Sequence, residues 1–75
     1  MLSNDNGRKE TEMTYKEARE NAGIMSSTMM AKLMKMSPMT YNLKENYQRH
    51  FKDFELMKFC QLVGVKPSQL QIMTG

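Results

Sequence analysis

The chain has 75 residues, a net charge of +3 and a hydrophobic fraction of 40%, which suits one small domain and leaves no room for a second. A single Cys excludes an internal disulfide framework, and one Cys with one His cannot supply the ligands of a zinc site. The longest mainly apolar runs fall far short of the roughly 20 residues that cross a bilayer, and the polar stretch from Ser3 to Glu12 does not read as a secretory signal. A chain this short buries only about 60% of its unfolded surface. That leaves little space for a deep catalytic cavity, so a binding domain of a reducing compartment is expected.

Charge is unevenly placed. Residues 1–25 carry four basic and five acidic side chains, and residues 53–75 carry two of each. Between them, Lys32, Lys35, Lys44, Arg49 and Lys52 face Glu45 alone, a local surplus of +4. Clustered positive charge is the footprint of a nucleic-acid binder. A solvated face without a partner accounts for it equally.

In chain order, residues 1–12 mix charge with Asn, Gly and Ser and predict a flexible tail, with the folded domain over 13–75. A first helix is predicted from about Thr14 to Asn21, with Thr14 and Glu17 as a capping box. Its stripe is Tyr15, Ala18 and Ala22, Gly23 ends it, and Ile24 and Met25 return toward the core. Ser26 or Ser27 caps a second helix, which has the stripe Met30, Ala31 and Met34 and ends near Lys35. Met36 then acts as an apolar plug. Ser37-Pro38 is the sharpest local signal, a strong cap followed by the residue favoured at the first helical position. A third helix should run from Pro38 to about Asn46. Tyr47 to Phe51 lacks a period and reads as a loop exposing Gln48, Arg49 and His50. Asp53 caps a fourth helix with the stripe Leu56, Phe59, Cys60 and Val63, closed by Gly64. Pro67 opens a short fifth helix with Leu70 inward. Five short helices and no alternating segment predict an all-α domain.

The residues from Ala22 to Asn46 resemble the phage Cro/repressor type of helix-turn-helix, the XRE-like regulators. Gly23-Ile24 closes the first helix, Met30-Ala31 lies in the second, Met34-Lys35-Met36-Ser37 forms the turn and Thr40-Tyr41 lies in the third. Phe51 to Val65 is similar to the family's fourth helix and Pro67 to Leu70 to its last turn, so the likeness covers about 14–70. It implies a compact five-helix, lambda-repressor-like domain with its helix-turn-helix at about 27–46. The implied function is sequence-specific double-stranded DNA binding by a phage or mobile-element regulator, a repressor acting by operator occupancy. Such a protein works as a homodimer in the cytoplasm of a bacterial host, on the nucleoid, without cofactor or metal.

The resemblance assigns Pro38, Met39, Asn42 and Leu43 to base edges, with Asn42 on adenine and Met39 or Leu43 on a thymine methyl. Ser27, Thr28, Lys35, Thr40, Lys44 and Arg49 would hold phosphates. Ser37 would both cap the third helix and belong to the DNA-binding set, and Ala31 would keep the helix crossing close. Two residues depart from the family pattern: Lys35 stands where Gly is usual, and Lys44 where an aliphatic residue is common. A second periodic face, Met36, Thr40, Leu43 and Tyr47, leaves the rotation of the third helix open.

Of the ten Met residues, Met25, Met29, Met30, Met34, Met36, Met57 and Met73 read mostly as core filling, with Met39 pointing outward. Cys60 reads as a buried inert thiol and His50 as a loop residue. The acidic pairs Glu17/Glu20 and Asp53/Glu55 read as solubilising surface. No nucleophile–base pair, phosphate-cradling Gly loop or metal spacing is present in the sequence, so neither catalysis nor a small-molecule substrate is expected. The segment Leu70-Gln71-Ile72-Met73 is either a dimer contact or packs back on the first helix. The rival function is an antirepressor-like protein-interaction module, which would explain an apolar third helix. It would leave the basic cluster unused unless its partner is acidic.

Overall fold

The computed structural model describes residues 12–72, so the predicted tail falls outside it except for Glu12, as does Met73. Four helices follow one another: α1 (Tyr15–Asn21), α2 (Ser27–Met34), α3 (Pro38–Glu45) and α4 (Asp53–Val63). A single 3₁₀ turn at Pro67–Gln69 stands where the sequence predicts a fifth helix. Leu70 explains the shortfall, because it leaves the turn in an extended conformation and pairs in parallel with Met13. Met13 N–H donates to Gln69 O at 2.9 Å and Gln71 N–H to Met13 O at 2.8 Å. Apart from this isolated bridge the described residues are all-α.

Local signals set the helix starts. Thr14 Oγ1 accepts from Glu17 N–H at 3.1 Å, and Glu17 Oε1 accepts from Thr14 N–H at 2.9 Å, which completes the capping box. Ser26 and Ser37 cap α2 and α3 through the backbone N–H groups of Met29 and Thr40, and Pro38 opens α3. At α4 the cap moves by one residue. Lys52 occupies it, Asp53 is the first helical residue, and the Glu55 carboxylate takes the Lys52 N–H at 2.9 Å. Gly64, at φ 73°, closes α4 in the left-handed conformation that Gly adopts without a Cβ penalty.

Tyr15, Ala18, Met30, Ala31, Met34, Tyr41, Phe59, Cys60, Val63 and Leu70 form the core. Ala22 is exposed rather than on the stripe of α1, because the helix stops before it. The loop after α3 joins the core in a way its sequence does not announce. The Tyr47 ring stacks on Tyr15 at 4.8 Å, and Phe51 meets the same ring edge-on at 4.8 Å. Tyr47 also accepts the Tyr15 N–H and donates to Gln71 O, joining the loop to both ends of the domain. Leu70 is buried and Ile72 packs against the core.

Two buried ion pairs fix α3 against its neighbours. Arg19 of α1 donates from Nε to Glu45 Oε1 at 2.8 Å and from Nη1 to Ile24 O at 2.8 Å, and the Tyr41 hydroxyl donates to the same Glu45 oxygen at 2.6 Å. Burial, then the bond to Glu45, pushes the Tyr41 hydroxyl far above its ordinary range, so it remains a donor. On the other side Lys44 Nζ pairs with Glu55 Oε1 of α4, both side chains largely buried. Lys44 is therefore not a surface cation, and Glu55 is not merely solubilising. Burial raises the Glu55 carboxyl, but the Lys44 ammonium and the Lys52 N–H outweigh it and hold the group below its usual value.

Three outcomes are expected. Phe59→Ala should cost about 3–5 kcal/mol in urea unfolding, since the ring is fully buried. Arg19→Met should cost about 3–5 kcal/mol by stranding Glu45, and adding Glu45→Leu should recover part of that loss. Because the folded Glu55 value is depressed, its contribution is complete above the unfolded carboxyl value of about 4.3 and disappears as pH falls through the lower folded value. The stability gap between the parent chain and Glu55→Gln, measured by thermal melts from neutral to acid pH, should therefore narrow below about pH 4.3.

Candidate nucleic-acid interface

Helices α2 and α3 pack against each other across the three-residue link Lys35–Ser37. Met30 and Ala31 on the inner side of α2 are fully buried, and the small Ala31 side chain permits the close approach. Lys35 adopts φ 59° and ψ 45°, the left-handed conformation that costs a non-Gly residue about 1–2 kcal/mol. This reverses the chain, and the Met36 N–H then donates to Ala31 O at 3.0 Å. The half-buried Met36 packs on the core.

The rotation of α3, open in the sequence, follows from its inner partners. Tyr41, Lys44 and Glu45 point inward. Met36, Thr40, Leu43 and Tyr47, the alternative face, are all half-buried and form a rim. Pro38, Met39 and Asn42 are exposed, and Met39 is 75% accessible. Ser37 Oγ accepts the Thr40 N–H and donates to Thr40 Oγ1 at 2.9 Å, which holds both hydroxyls at the start of the helix.

Of the residues assigned to phosphates, Lys35 is exposed in the turn before α3 and Arg49 in the loop after it. Thr28 is exposed and Ser27 half-buried at the start of α2. Lys44 is the exception, 5% accessible and held by Glu55. Its withdrawal does not lower the surface surplus, because Glu45 is withdrawn too. Residues 26–52 expose Lys32, Lys35, Arg49 and Lys52 and no carboxylate. An uncharged outer helix face thus lies between a cation that precedes it and one that follows it in the chain. Cations can neutralise a polyanion there while the helix presents uncharged groups.

The methionines depart from the core-filling expectation. Met30 and Met34 are buried, but Met25, Met29 and Met57 are exposed together with Leu33, Met39 and Phe54. Beside the turn a groove of about 320 Å³ is lined by Met34, Lys35, Met36, Phe54, Glu55 and Lys58. Burial pushes the Cys60 thiol up, which disfavours the nucleophilic thiolate.

Among the described residues no group of three or more His, Cys, Asp or Glu side chains is arranged to hold a metal ion. Nor is any helix there long and apolar enough to cross a membrane. No family model matches the chain, and comparison with curated proteins and with solved structures finds no match.

Proposed function

We propose that the chain is a sequence-specific double-stranded DNA-binding regulator, a repressor acting by operator occupancy, with α2 and α3 as its helix-turn-helix. The observation that carries this reading is the charge arrangement around α3. Four exposed cations and no exposed carboxylate lie in residues 26–52, while the exposed side chains of α3 itself are uncharged. Phosphate contacts then position the domain, and Pro38, Met39, Asn42 and Leu43 meet base edges. One domain of this size covers too little DNA for tight site selection, so it acts as a homodimer on a two-fold site. The resemblance of residues 14–70 to Cro/repressor-type regulators, read from the sequence alone, points the same way.

A second reading is favoured by a specific observation. Met25, Met29, Leu33, Met39, Phe54 and Met57 form an unusual complement of exposed apolar side chains for so short a chain. An antirepressor-like module would use them to bind another protein.

Binding to duplex DNA, titrated at several salt concentrations, separates the two. Lys35→Ala and Arg49→Ala should weaken preferred and random DNA alike, each lowering the slope of log affinity against log salt by about one unit. Asn42→Ala should cost about 1–3 kcal/mol at the preferred site and much less on random DNA. A folded chain that binds duplex no better than a generic basic protein would establish the protein-interaction reading instead.

A further inference from the structure

We infer that the outer face of α3 reads A·T base pairs, through thymine methyl groups and the adenine edge, and takes no specificity from guanine. The inference rests on the DNA-binding reading and names the class of duplex that reading leaves open.

Its first support is the loss of the only cation on α3. Guanine is read in the major groove by Arg or Lys, bidentate to O6 and N7. Lys44 is buried on Glu55, and Lys35 and Arg49 lie off the helix, in the turn before it and the loop after it. The outer face of α3 therefore carries no cation for that bidentate contact to guanine.

What the face does carry is matched to A·T pairs. Met39 is a long apolar side chain standing 75% in solvent, and the thymine 5-methyl is the apolar feature of the major groove. Half-buried Leu43 follows at i+4, with its Cβ about 5–6 Å from that of Met39. Base pairs rise about 3.4 Å per step, so the two side chains address pairs one or two steps apart. Asn42 is exposed, and no other described residue holds its side-chain amide, so donor and acceptor are both free for adenine N6 and N7. Asn46, by contrast, uses its Nδ2 on Asn42 O at 2.8 Å. The ligand is a duplex half-site with thymines one or two steps apart and an adenine beside them.

The test uses the full chain and two pools of short duplexes whose random cores contain only A·T or only G·C pairs, read by fluorescence anisotropy at one salt concentration. The A·T pool should yield the tight binders. In the best of them, deoxyuridine is substituted for thymidine one position at a time, which removes the methyl and keeps the pairing. Each contacted position should lose about fourfold in affinity, the equivalent of roughly 0.8 kcal/mol per methyl. Met39→Ala, at an exposed site, should abolish the response at one such position. Equal binding to both pools overturns the inference while DNA binding stands, as does an A·T preference that no deoxyuridine substitution weakens. Failure to bind either pool beyond the level of a generic basic protein overturns the DNA reading and this inference with it.

Discussion

The placement of α3 depends on the ion pair between Arg19 and Glu45. Apolar burial holds helices together without fixing their rotation, because it has no direction. The Arg19 guanidinium has direction. One edge engages Glu45, and another nitrogen donates to Ile24 O in the link between α1 and α2, while Tyr41 donates to the carboxylate from one turn earlier on α3. Two charges taken out of water recover their desolvation only when these partners are all present. A rotated α3 would lose the set together. Met39 and Asn42 point outward because Tyr41 and Glu45 are held inward.

Lys44 and Glu55 make the same argument from the other side of α3, against α4. Together the pairs have a consequence at the surface. Glu45 and Lys44 are adjacent in sequence and cancel in any charge count, yet each is neutralised by a residue outside the segment 26–52. The exposed charge of that segment is consequently purely basic. Internal packing and external field are set by the same two residues, and a substitution at either would alter both.

Much of this was legible in the sequence wherever the cause is local. Thr14 with Glu17, Ser37 with Pro38, and Gly64 act within a few residues, so the helix starts and stops follow from their chemistry. Long-range partners were not legible. Arg19 meets Glu45 across 26 residues, and as sequence it is one more charge on a short helix. Tyr47 and Phe51 have no period because a loop, not a helix, delivers them to Tyr15. The methionines misled for a different reason. Apolar character favours burial without enforcing it, and a small domain runs out of interior. For the candidate interface, the exposure of Lys35, Met39, Asn42 and Arg49 was legible. The loss of Lys44 from it and the rotation of α3 were not, since both depend on Glu55 and Arg19.

Two non-Gly residues in left-handed backbone bracket α3, Lys35 at φ 59° before it and Tyr47 at φ 64° after it. A glycine at either position would relieve about 1–2 kcal/mol of strain. At Tyr47 the return is plain, because the ring stacks on Tyr15 and the hydroxyl serves both Tyr15 N–H and Gln71 O. At Lys35 the return comes from the backbone, since the left-handed residue lets the Met36 N–H close on Ala31 O and seats Met36 against the core. The Lys35 side chain is exposed, and no described residue pairs with its ammonium. The left-handed turn serves the fold, while no side-chain contact accounts for lysine rather than glycine at that position. A non-Gly residue kept in that conformation without a side-chain contact is a candidate for a use outside folding. In the DNA-binding reading that use is direct, since the turn carries the ammonium to the start of the helix that enters the groove, where a phosphate would lie.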